Sequence, residues 1–238
     1  MKCVISGHGR MGKMIEDMLL EAGDEILGIV DIDLFQNPAD IPGKADVLID
    51  FSHPDFLEMN LKYARETGCN MVIGTTGLDG GHLNMIREAS KSVGIIQRAN
   101  YSLGVYVLTQ AVKMAAPSLK SAGFDIEIVE THHNKKVDSP SGTAKLLLDA
   151  ADPEGYYERV YGREGMVGAR GKEIGVHAIR GGTVAGEHSV YFFGDDEILE
   201  FKHSASSRRI FASGAVRAAR FMVGKPAGLY DLGDVLKI

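Results

Sequence analysis

Apolar and polar positions alternate with two different spacings along the first hundred residues. Short apolar runs predict five strands, at residues 2–6, 26–30, 46–51, 70–73 and 94–97. Apolar residues at helical spacing predict the helices between them, at residues 10–22, 56–67 and 82–93. Strands that alternate with helices are typical of a parallel sheet covered by helices on both faces. We therefore expect an α/β domain in this part of the chain.

The pattern changes beyond residue 100. A strand is predicted at residues 124–130, and helical spacing predicts helices at residues 105–122, 142–151 and 208–222. Strand-like runs follow at residues 174–180, 188–193 and 198–203, whereas the polar, aperiodic stretch 152–172 is predicted to be a loop. This arrangement favours a smaller α+β domain with a mostly antiparallel sheet, at residues 104–207. We expect residues 1–103 and 208–238 to form the other domain together.

Charge and composition narrow the classes of function. The net charge is −6 and the longest basic groups are pairs, so we expect no nucleic-acid partner. No apolar run approaches the ~20 residues that span a bilayer, and no cleavable leader is recognised, so we expect no membrane association and a cytoplasmic location. Cys3 and Cys69 belong to no Cys-x-x-Cys pair and are expected to be buried, reduced thiols.

A glycine-rich turn joins the first predicted strand to the first predicted helix. Its glycines would let the backbone approach a pyrophosphate, and the helix N-terminus would offer N–H groups to the phosphates. A glycine-rich turn that binds no ligand is the alternative interpretation. The motif and its position favour a Rossmann-type domain that binds a dinucleotide. The turn fits Gly-x-Gly-x-x-Gly and consists of Gly7, His8, Gly9, Arg10, Met11 and Gly12.

Asp31 strengthens this interpretation, because it follows the second predicted strand and a carboxylate there accepts hydrogen bonds from a ribose diol. Neither Ile32 nor Asp33 supplies a cation for a 2′-phosphate, so we expect NADH to be preferred over NADPH. Two loops at the carboxyl ends of later strands are expected to face the same cofactor. Their residues are Gly74, Thr75 and Thr76 in one loop, and Arg98, Ala99, Asn100 and Tyr101 in the other.

The most unusual stretch of the chain is residues 127–144. A predicted strand leads into His132, His133 and Lys136, and a predicted helix begins at Gly142 and Thr143. Cations close to a helix N-terminus form a pocket that suits an anion such as a carboxylate.

Other roles are open for residues of this stretch. Two adjacent histidines can bind a metal, but a zinc site needs three or four ligands and no further ligand has a useful spacing, so no metal is predicted. Ser141 lacks the surroundings of a nucleophile elbow and suits a helix N-cap better. Lys135 is interpreted as surface charge. Glu130 has either a histidine or a lysine as its local partner.

Residues 127–144 resemble the signature of the 4-hydroxy-tetrahydrodipicolinate reductases, also called dihydrodipicolinate reductases. Other segments resemble that family in the same order along nearly the whole chain. Besides the nucleotide loop they are Phe51-Ser52-His53-Pro54, Gly74-Thr75-Thr76-Gly77, Asn100-Tyr101-Ser102-Leu103-Gly104, Arg180-Gly181-Gly182, Gly186-Glu187-His188 and His203-Ser204-Ala205-Ser206-Ser207-Arg208.

The resemblance implies a Rossmann domain and a substrate domain whose sheet builds a homotetramer. It implies NAD(P)H-dependent reduction of 4-hydroxy-tetrahydrodipicolinate (dihydrodipicolinate), a small cyclic dicarboxylate, to tetrahydrodipicolinate in lysine and diaminopimelate biosynthesis. By position, His132 and Lys136 correspond to the family's acid–base pair. His133, Gly142 and Thr143 correspond to its substrate contacts.

Two other classes of function are alternatives. A semialdehyde dehydrogenase that forms a thioester needs a cysteine near the nicotinamide, and neither Cys3 nor Cys69 is well placed. A non-catalytic NAD-binding sensor would keep the glycine loop and Asp31. It would have no need of His132 and Lys136 beside an anion pocket.

Overall fold

The computed structural model describes all residues from Met1 to Ile238, in two compact units. The first unit comprises Met1–Ser102 and Arg209–Ile238, and the second comprises Leu103–Arg208. Each junction lies one residue from the expected one. Leu103 belongs to the second unit because it begins a helix there, and Arg208 because its guanidinium lies 3.1 Å from Nε2 of His133.

Strands and helices alternate along residues 1–102, as the apolar pattern predicts. Helix ends follow local chemistry: the Asp79 carboxylate accepts a hydrogen bond from the His82 N–H, and Gly68 takes a left-handed conformation after Thr67. Two 3₁₀ turns, Pro38–Asp40 and Pro54–Phe56, lie in the connections. The elements are β1 (Lys2–Ser6), α1 (Arg10–Glu21), β2 (Glu25–Val30), β3 (Val47–Asp50), α2 (Leu57–Thr67), β4 (Asn70–Ile73), α3 (Gly80–Ala89) and β5 (Gly94–Gln97).

The second unit combines two helices with five strands. The prediction that residues 152–172 form only a loop is wrong, because Glu158–Tyr161 is a strand. It is a short, largely exposed strand at the edge of its sheet, so its sequence shows no alternation of apolar and polar residues. The elements are α4 (Leu103–Ser121), β6 (Asp125–His132), α5 (Gly142–Ala151), β7 (Glu158–Tyr161), β8 (Glu173–Arg180), β9 (Gly186–Phe193) and β10 (Ile198–Ala205).

The remaining residues return to the first unit as α6 (Arg209–Met222), β11 (Gly228–Tyr230) and α7 (Leu232–Leu236). Strand β11 pairs with β5. The buried amide of Asn70 joins the distant segments: its Nδ2 donates to the carbonyls of Met222 and Lys225 at 2.7 and 2.9 Å, and its Oδ1 accepts from the Gly94 N–H at 2.7 Å.

The first unit has a six-stranded sheet in the order β11-β5-β4-β3-β1-β2, with every pairing parallel. From β1 the chain adds β2 on one side, and it then adds β3, β4 and β5 on the other side, so the order of the strands reverses beside β1. In such sheets a crevice forms there, at the carboxyl ends of the strands. Alternate strand residues, such as Val4, Leu48 and Met71, pack against Leu61 of α2 and Ile86 of α3.

The second unit has a five-stranded mixed sheet in the order β10-β9-β6-β8-β7. Strand β9 is antiparallel to both β10 and β6, and β8 is parallel to both β6 and β7. One sheet face, with Ile128 and Phe192, packs against Val112 of α4 and Leu147 of α5. The two sheets confirm the predicted fold class. None of the helices combines the length and the apolarity needed to cross a bilayer.

Candidate active site

The glycine turn between β1 and α1 has the shape of a phosphate cradle. Gly7 has a φ of 91°, which favours glycine, and a Cβ on Gly12 would clash with the Gly7 carbonyl oxygen. Beside Gly9 there is open space, with no atom within 4 Å of where a Cβ would lie. Helix α1 begins at Arg10, so its N-terminal N–H groups lie at this turn.

Asp31 lies against this turn. Its Oδ2 accepts a hydrogen bond from the His8 N–H at 2.7 Å, and its Oδ1 accepts one from the Ile32 N–H at the same distance. The carboxylate is thereby oriented before any ligand binds. A cleft of about 270 Å³ runs past it and is lined by Gly7, His8, Gly9, Val30, Asp31, Ile32, Phe51, Ser52, His53 and Phe56.

A second cleft of about 260 Å³ shares Phe51 and Ser52 with the first. Of the residues predicted to bind the cofactor, Arg10, Gly12, Arg98 and Asn100 line neither cleft. Arg98 forms an ion pair with Asp231. The residues that line the second cleft are Met11, Phe51, Ser52, Gly74, Thr75, Thr76, Ala99, Tyr101 and Phe211.

A buried carboxyl group that the sequence did not single out supports both clefts. Oδ1 of Asp50, at the end of β3, accepts hydrogen bonds from Oγ of Ser52 at 2.5 Å and from Oγ1 of Thr75 at 2.9 Å. Burial raises the pKa of Asp50, and hydrogen bonds from Ser52 and Thr75 oppose that rise. A glycine cradle at a helix start, an oriented carboxylate and two adjoining clefts fit a dinucleotide.

The histidine that ends β6 is held by ionised neighbours in the second unit. Nδ1 of His132 lies 2.5 Å from Oε2 of Glu130. The same carboxylate binds both terminal nitrogens of Arg180, at 2.7 and 2.8 Å. Of the two partners considered for Glu130, a histidine or a lysine, the structure shows the histidine; its other partner is an arginine, and the glutamate itself is fully buried.

Basic side chains surround His133 in the loop that follows. Nε2 of His133 lies 3.1 Å from Nη2 of Arg208. Burial lowers the pKa of His133, and the positive charges of Arg208, His132, Lys136 and Arg180 lower it further. Lys136 forms an ion pair with Asp138 at 2.7 Å and is partly buried, whereas its neighbour Lys135 is exposed.

Helix α5 begins next to this cluster. Oγ of Ser141 accepts a hydrogen bond from the Ala144 N–H at 3.1 Å, which confirms its predicted role as an N-cap. Gly142 and Thr143 form the first turn of the helix, at the end where the helix dipole is positive. Ser141 Oγ also lies 2.9 Å from Nε2 of His188, whose pKa is lowered to about 4 by burial and by the nearby His132.

Four residues of this cluster were not assigned roles from the sequence: Glu130, Arg180, His188 and Arg208. The parallel pairing of β6 with β8 sets His132 directly beside Arg180, 48 positions later in the chain. Hydrophobic periodicity does not show which strands pair or in what register. No group of three or more acidic, cysteine or histidine side chains in the chain is arranged to hold a metal ion.

Family models match both parts of the chain. Residues 1–101 match "Dihydrodipicolinate reductase, N-terminus", and residues 104–236 match "Dihydrodipicolinate reductase, C-terminus". The chain belongs to the dihydrodipicolinate reductase family. The predicted resemblance is thereby confirmed, and with it a nicotinamide-dependent reductase of lysine and diaminopimelate biosynthesis.

Relatives of full length carry the family's name. The chain is 47% identical to the 4-hydroxy-tetrahydrodipicolinate reductase of Brachyspira hyodysenteriae, over 99% of this chain and 100% of that one. It is 43% identical to the corresponding reductase of Caldanaerobacter subterraneus, over 99% and 98%. The dipicolinate-bound dihydrodipicolinate reductase of Paenisporosarcina sp. TG-14 shares the fold, with a TM-score of 0.76, 22% identity and 98% coverage of both chains.

The cysteines do not support a thioester mechanism. Cys3 and Cys69 are both buried and unpaired with each other, as expected. Burial raises the pKa of each thiol to about 12, so neither is a thiolate at neutral pH.

Proposed function

We propose that this chain reduces 4-hydroxy-tetrahydrodipicolinate (dihydrodipicolinate) to tetrahydrodipicolinate, with His132 and Lys136 as its acid–base pair. The observation that carries this assignment is the cluster around His132: an imidazole bound to a buried carboxylate, next to a lysine, two arginines and the start of a helix. A nicotinamide supplies the hydride when it is bound. Hydride addition to a conjugated imine leaves negative charge on the ring, and His132 or Lys136 donates the balancing proton.

The same cluster suits a substrate with two carboxylates. His133 with Arg208, and the first-turn N–H groups of Gly142 and Thr143, offer positive charge and hydrogen-bond donors. These groups would bind and orient the dicarboxylate. We assign substrate binding to the second unit on this basis, and dinucleotide binding to the first unit, residues 1–102 and 209–238.

The cofactor contacts that we propose lie along the two clefts of the first unit. The turn would hold the pyrophosphate and Asp31 the adenosine ribose. Thr75, Thr76, Ala99 and Tyr101 line the second cleft, which suits the nicotinamide end. We propose a preference for NADH, because the oriented Asp31 carboxylate accepts from a ribose diol and repels a 2′-phosphate.

A homotetramer is proposed from the uncovered face of the second sheet. Strand register places apolar side chains on the face opposite α4 and α5. Ile179, Phe193 and Ile198 are exposed by 51%, 36% and 62%. An apolar sheet face of this kind is typical of an oligomer contact. We call it the outer face; its apolar residues are Val129, Ile179, Tyr191, Phe193 and Ile198.

The direct test is a coupled assay. The substrate is made in place by condensation of pyruvate with aspartate semialdehyde, and NADH or NADPH oxidation is followed by absorbance. We expect turnover with both cofactors and a higher kcat/KM with NADH. A chain that binds NADH but gives no turnover with either cofactor would contradict the proposed reaction.

A further inference from the structure

We propose that Glu130 is a positioning residue for the reaction: its buried carboxylate fixes the tautomer and orientation of His132 and ties that ring to the start of α5. This inference rests on the proposed role of His132 as a proton donor. It adds a residue that does not itself touch the substrate.

The surroundings of Glu130 fix its ionisation state. Its side chain is fully buried, and Arg180 binds both carboxylate oxygens through two nitrogens. Burial disfavours the charged form, but hydrogen bonds from Arg180, from His132 and from the Ser141 N–H outweigh it and lower the pKa of Glu130. The group is therefore a carboxylate at neutral pH, and a carboxylate accepts hydrogen bonds but cannot donate them.

The tautomer of His132 follows from that state. Oε2 of Glu130 lies 2.5 Å from Nδ1 of His132, so the proton between them belongs to Nδ1. When the ring is neutral, Nε2 is then the nitrogen without a proton. When the ring is charged, Nε2 carries the proton that can be donated. The carboxylate thus binds Nδ1 and leaves Nε2 to donate the proton to the substrate.

Glu130 is also bonded to the start of α5. Oε1 of Glu130 accepts a hydrogen bond from the Ser141 N–H at 3.0 Å, and Ser141 caps α5 through its hydroxyl. Gly142 and Thr143, the proposed substrate contacts, follow directly. One carboxylate therefore holds both the proton donor and the helix start that would bind the dicarboxylate, which fixes the position of one relative to the other.

Other charged groups near His132 do not replace this carboxylate. His188 meets the His132 ring edge to face, with 5.0 Å between centroids, and its pKa of about 4 keeps it neutral at pH 7. Lys136 and Arg180 are cations, and Asp138 is paired with Lys136. The titratable and charged groups around His132, from its own strand, the next loop, β8, β9, β10 and the α6 junction, are Glu130, His133, Lys136, Asp138, Arg180, His188, His203 and Arg208.

The chain offers a matched control in Glu127, three residues earlier on β6. It too binds a histidine and two arginines: His177 at 2.7 Å, Arg163 at 2.8 Å, and Arg170. Strand alternation places Glu127 on the face opposite Glu130. Glu127→Gln therefore removes a similar carboxylate from a similar network without touching His132.

The experiment compares kcat–pH profiles of Glu130→Gln and Glu127→Gln. For Glu130→Gln we expect kcat to fall tenfold or more, but by less than the roughly 10²–10⁴-fold that loss of a general acid costs. Glu127→Gln should keep the wild-type profile. An unchanged profile in Glu130→Gln overturns the inference.

Three further measurements keep the test decisive. If Glu130→Gln does not fold, because Arg180 loses its partner, the double variant Glu130→Gln/Arg180→Met removes both charges and takes its place.

Histidine ¹⁵N NMR of the wild-type protein should show the Nδ1-protonated tautomer for His132, and an Nε2-protonated ring would overturn the inference. His132→Ala separates the two proposals: if its activity is unchanged, the proton-donor role fails, whereas a collapse with a normal Glu130→Gln profile refutes only the positioning role.

Discussion

Lys136 is the single residue whose change tests the proposed acid–base chemistry most directly. It is partly buried and paired with Asp138, whereas Lys135 beside it is exposed. We expect Lys136→Ala to lower kcat by roughly 10²–10⁴-fold, with NADH binding unchanged because Lys136 lies outside the glycine turn. Lys135→Ala is the matched control and should keep its rate. Steady-state kinetics and NADH fluorescence titration measure both; equal kcat in the two variants would remove Lys136 from the mechanism.

Asp31 carries the proposed cofactor preference. Asp31→Ala removes both the ribose acceptor and the repulsion of a 2′-phosphate, so KM should rise more for NADH than for NADPH. Asp33, exposed two positions later, provides the control variant Asp33→Ala, which should change neither KM. The KM values for both cofactors decide the point. An equal rise for NADH and NADPH would contradict the ribose role.

Glu127 links stability to pH. Burial disfavours its charge, but hydrogen bonds from Arg163, His177 and Arg170 lower its pKa from 4.5 to about 2. Because the folded-state pKa is below the unfolded one, this carboxylate stabilises the fold above pH 4.5, and that stability is lost as the pH falls towards 2. Glu127→Gln should lower the free energy of unfolding at pH 7 and flatten its decline in that acidic range. Urea titrations across the range measure this; parallel wild-type and variant curves would disprove it.

The partners of Glu130 show what the sequence could not predict. His132 and Lys136 were found through a resemblance in one continuous stretch, residues 127–144. Glu130 belongs to the same stretch, but its partner Arg180 lies 50 positions away and reaches it through the pairing of β6 with β8. Periodicity predicts that a strand exists and which residues share a face, but it does not give the neighbouring strand or the register.

Among the elements, α6 depends on a very close approach to the loop after β5. A Cβ on Gly214 would clash with the carbonyl oxygen of Tyr101, whose hydroxyl donates to the carbonyls of Ile73 and Ile96 at 2.9 and 3.0 Å. We expect Gly214→Ala to lower the free energy of unfolding by about 1–3 kcal/mol through overpacking.

The matched control for Gly214 is Gly80 at the start of α3, where a Cβ would meet no atom within 4 Å. Gly80→Ala should leave stability unchanged or raise it slightly, since alanine is the better helix former. Chemical denaturation of both variants measures the difference. Equal stability of the two variants would show that the backbone at Tyr101 can move aside without lowering the free energy of unfolding.

Elements with a strong apolar period were predicted well, and short edge elements were not. The helices and parallel strands of residues 1–97 lie close to their predicted places because each shows several turns of helical spacing or a short apolar run. Strand β7 is exposed, and β11 is only three residues long. Both form because a neighbouring strand provides hydrogen-bond partners, which is information that their own residues do not carry.

For the whole molecule, the proposed homotetramer gives a measurable mass. Light scattering should give four times 25.7 kDa for the wild-type chain. The double variant Ile179→Glu/Ile198→Glu places charges on the outer face and should give a smaller species, because burying unpaired charge is costly. Leu20→Glu on α1, at a side chain exposed by 57%, is the control and should keep the wild-type mass. A wild-type chain that is monomeric would refute the tetramer.

The return of residues 209–238 to the first unit affects the order in which a ribosome can complete the two units. The second unit is continuous and has all its residues once Arg208 has emerged, whereas the first still lacks α6, β11 and the partners of Asn70. Phe211, a wall of the second cleft, is made only after the entire second unit. A nascent chain therefore carries the glycine turn early in synthesis, but it has a complete dinucleotide cleft only after α6 has been released.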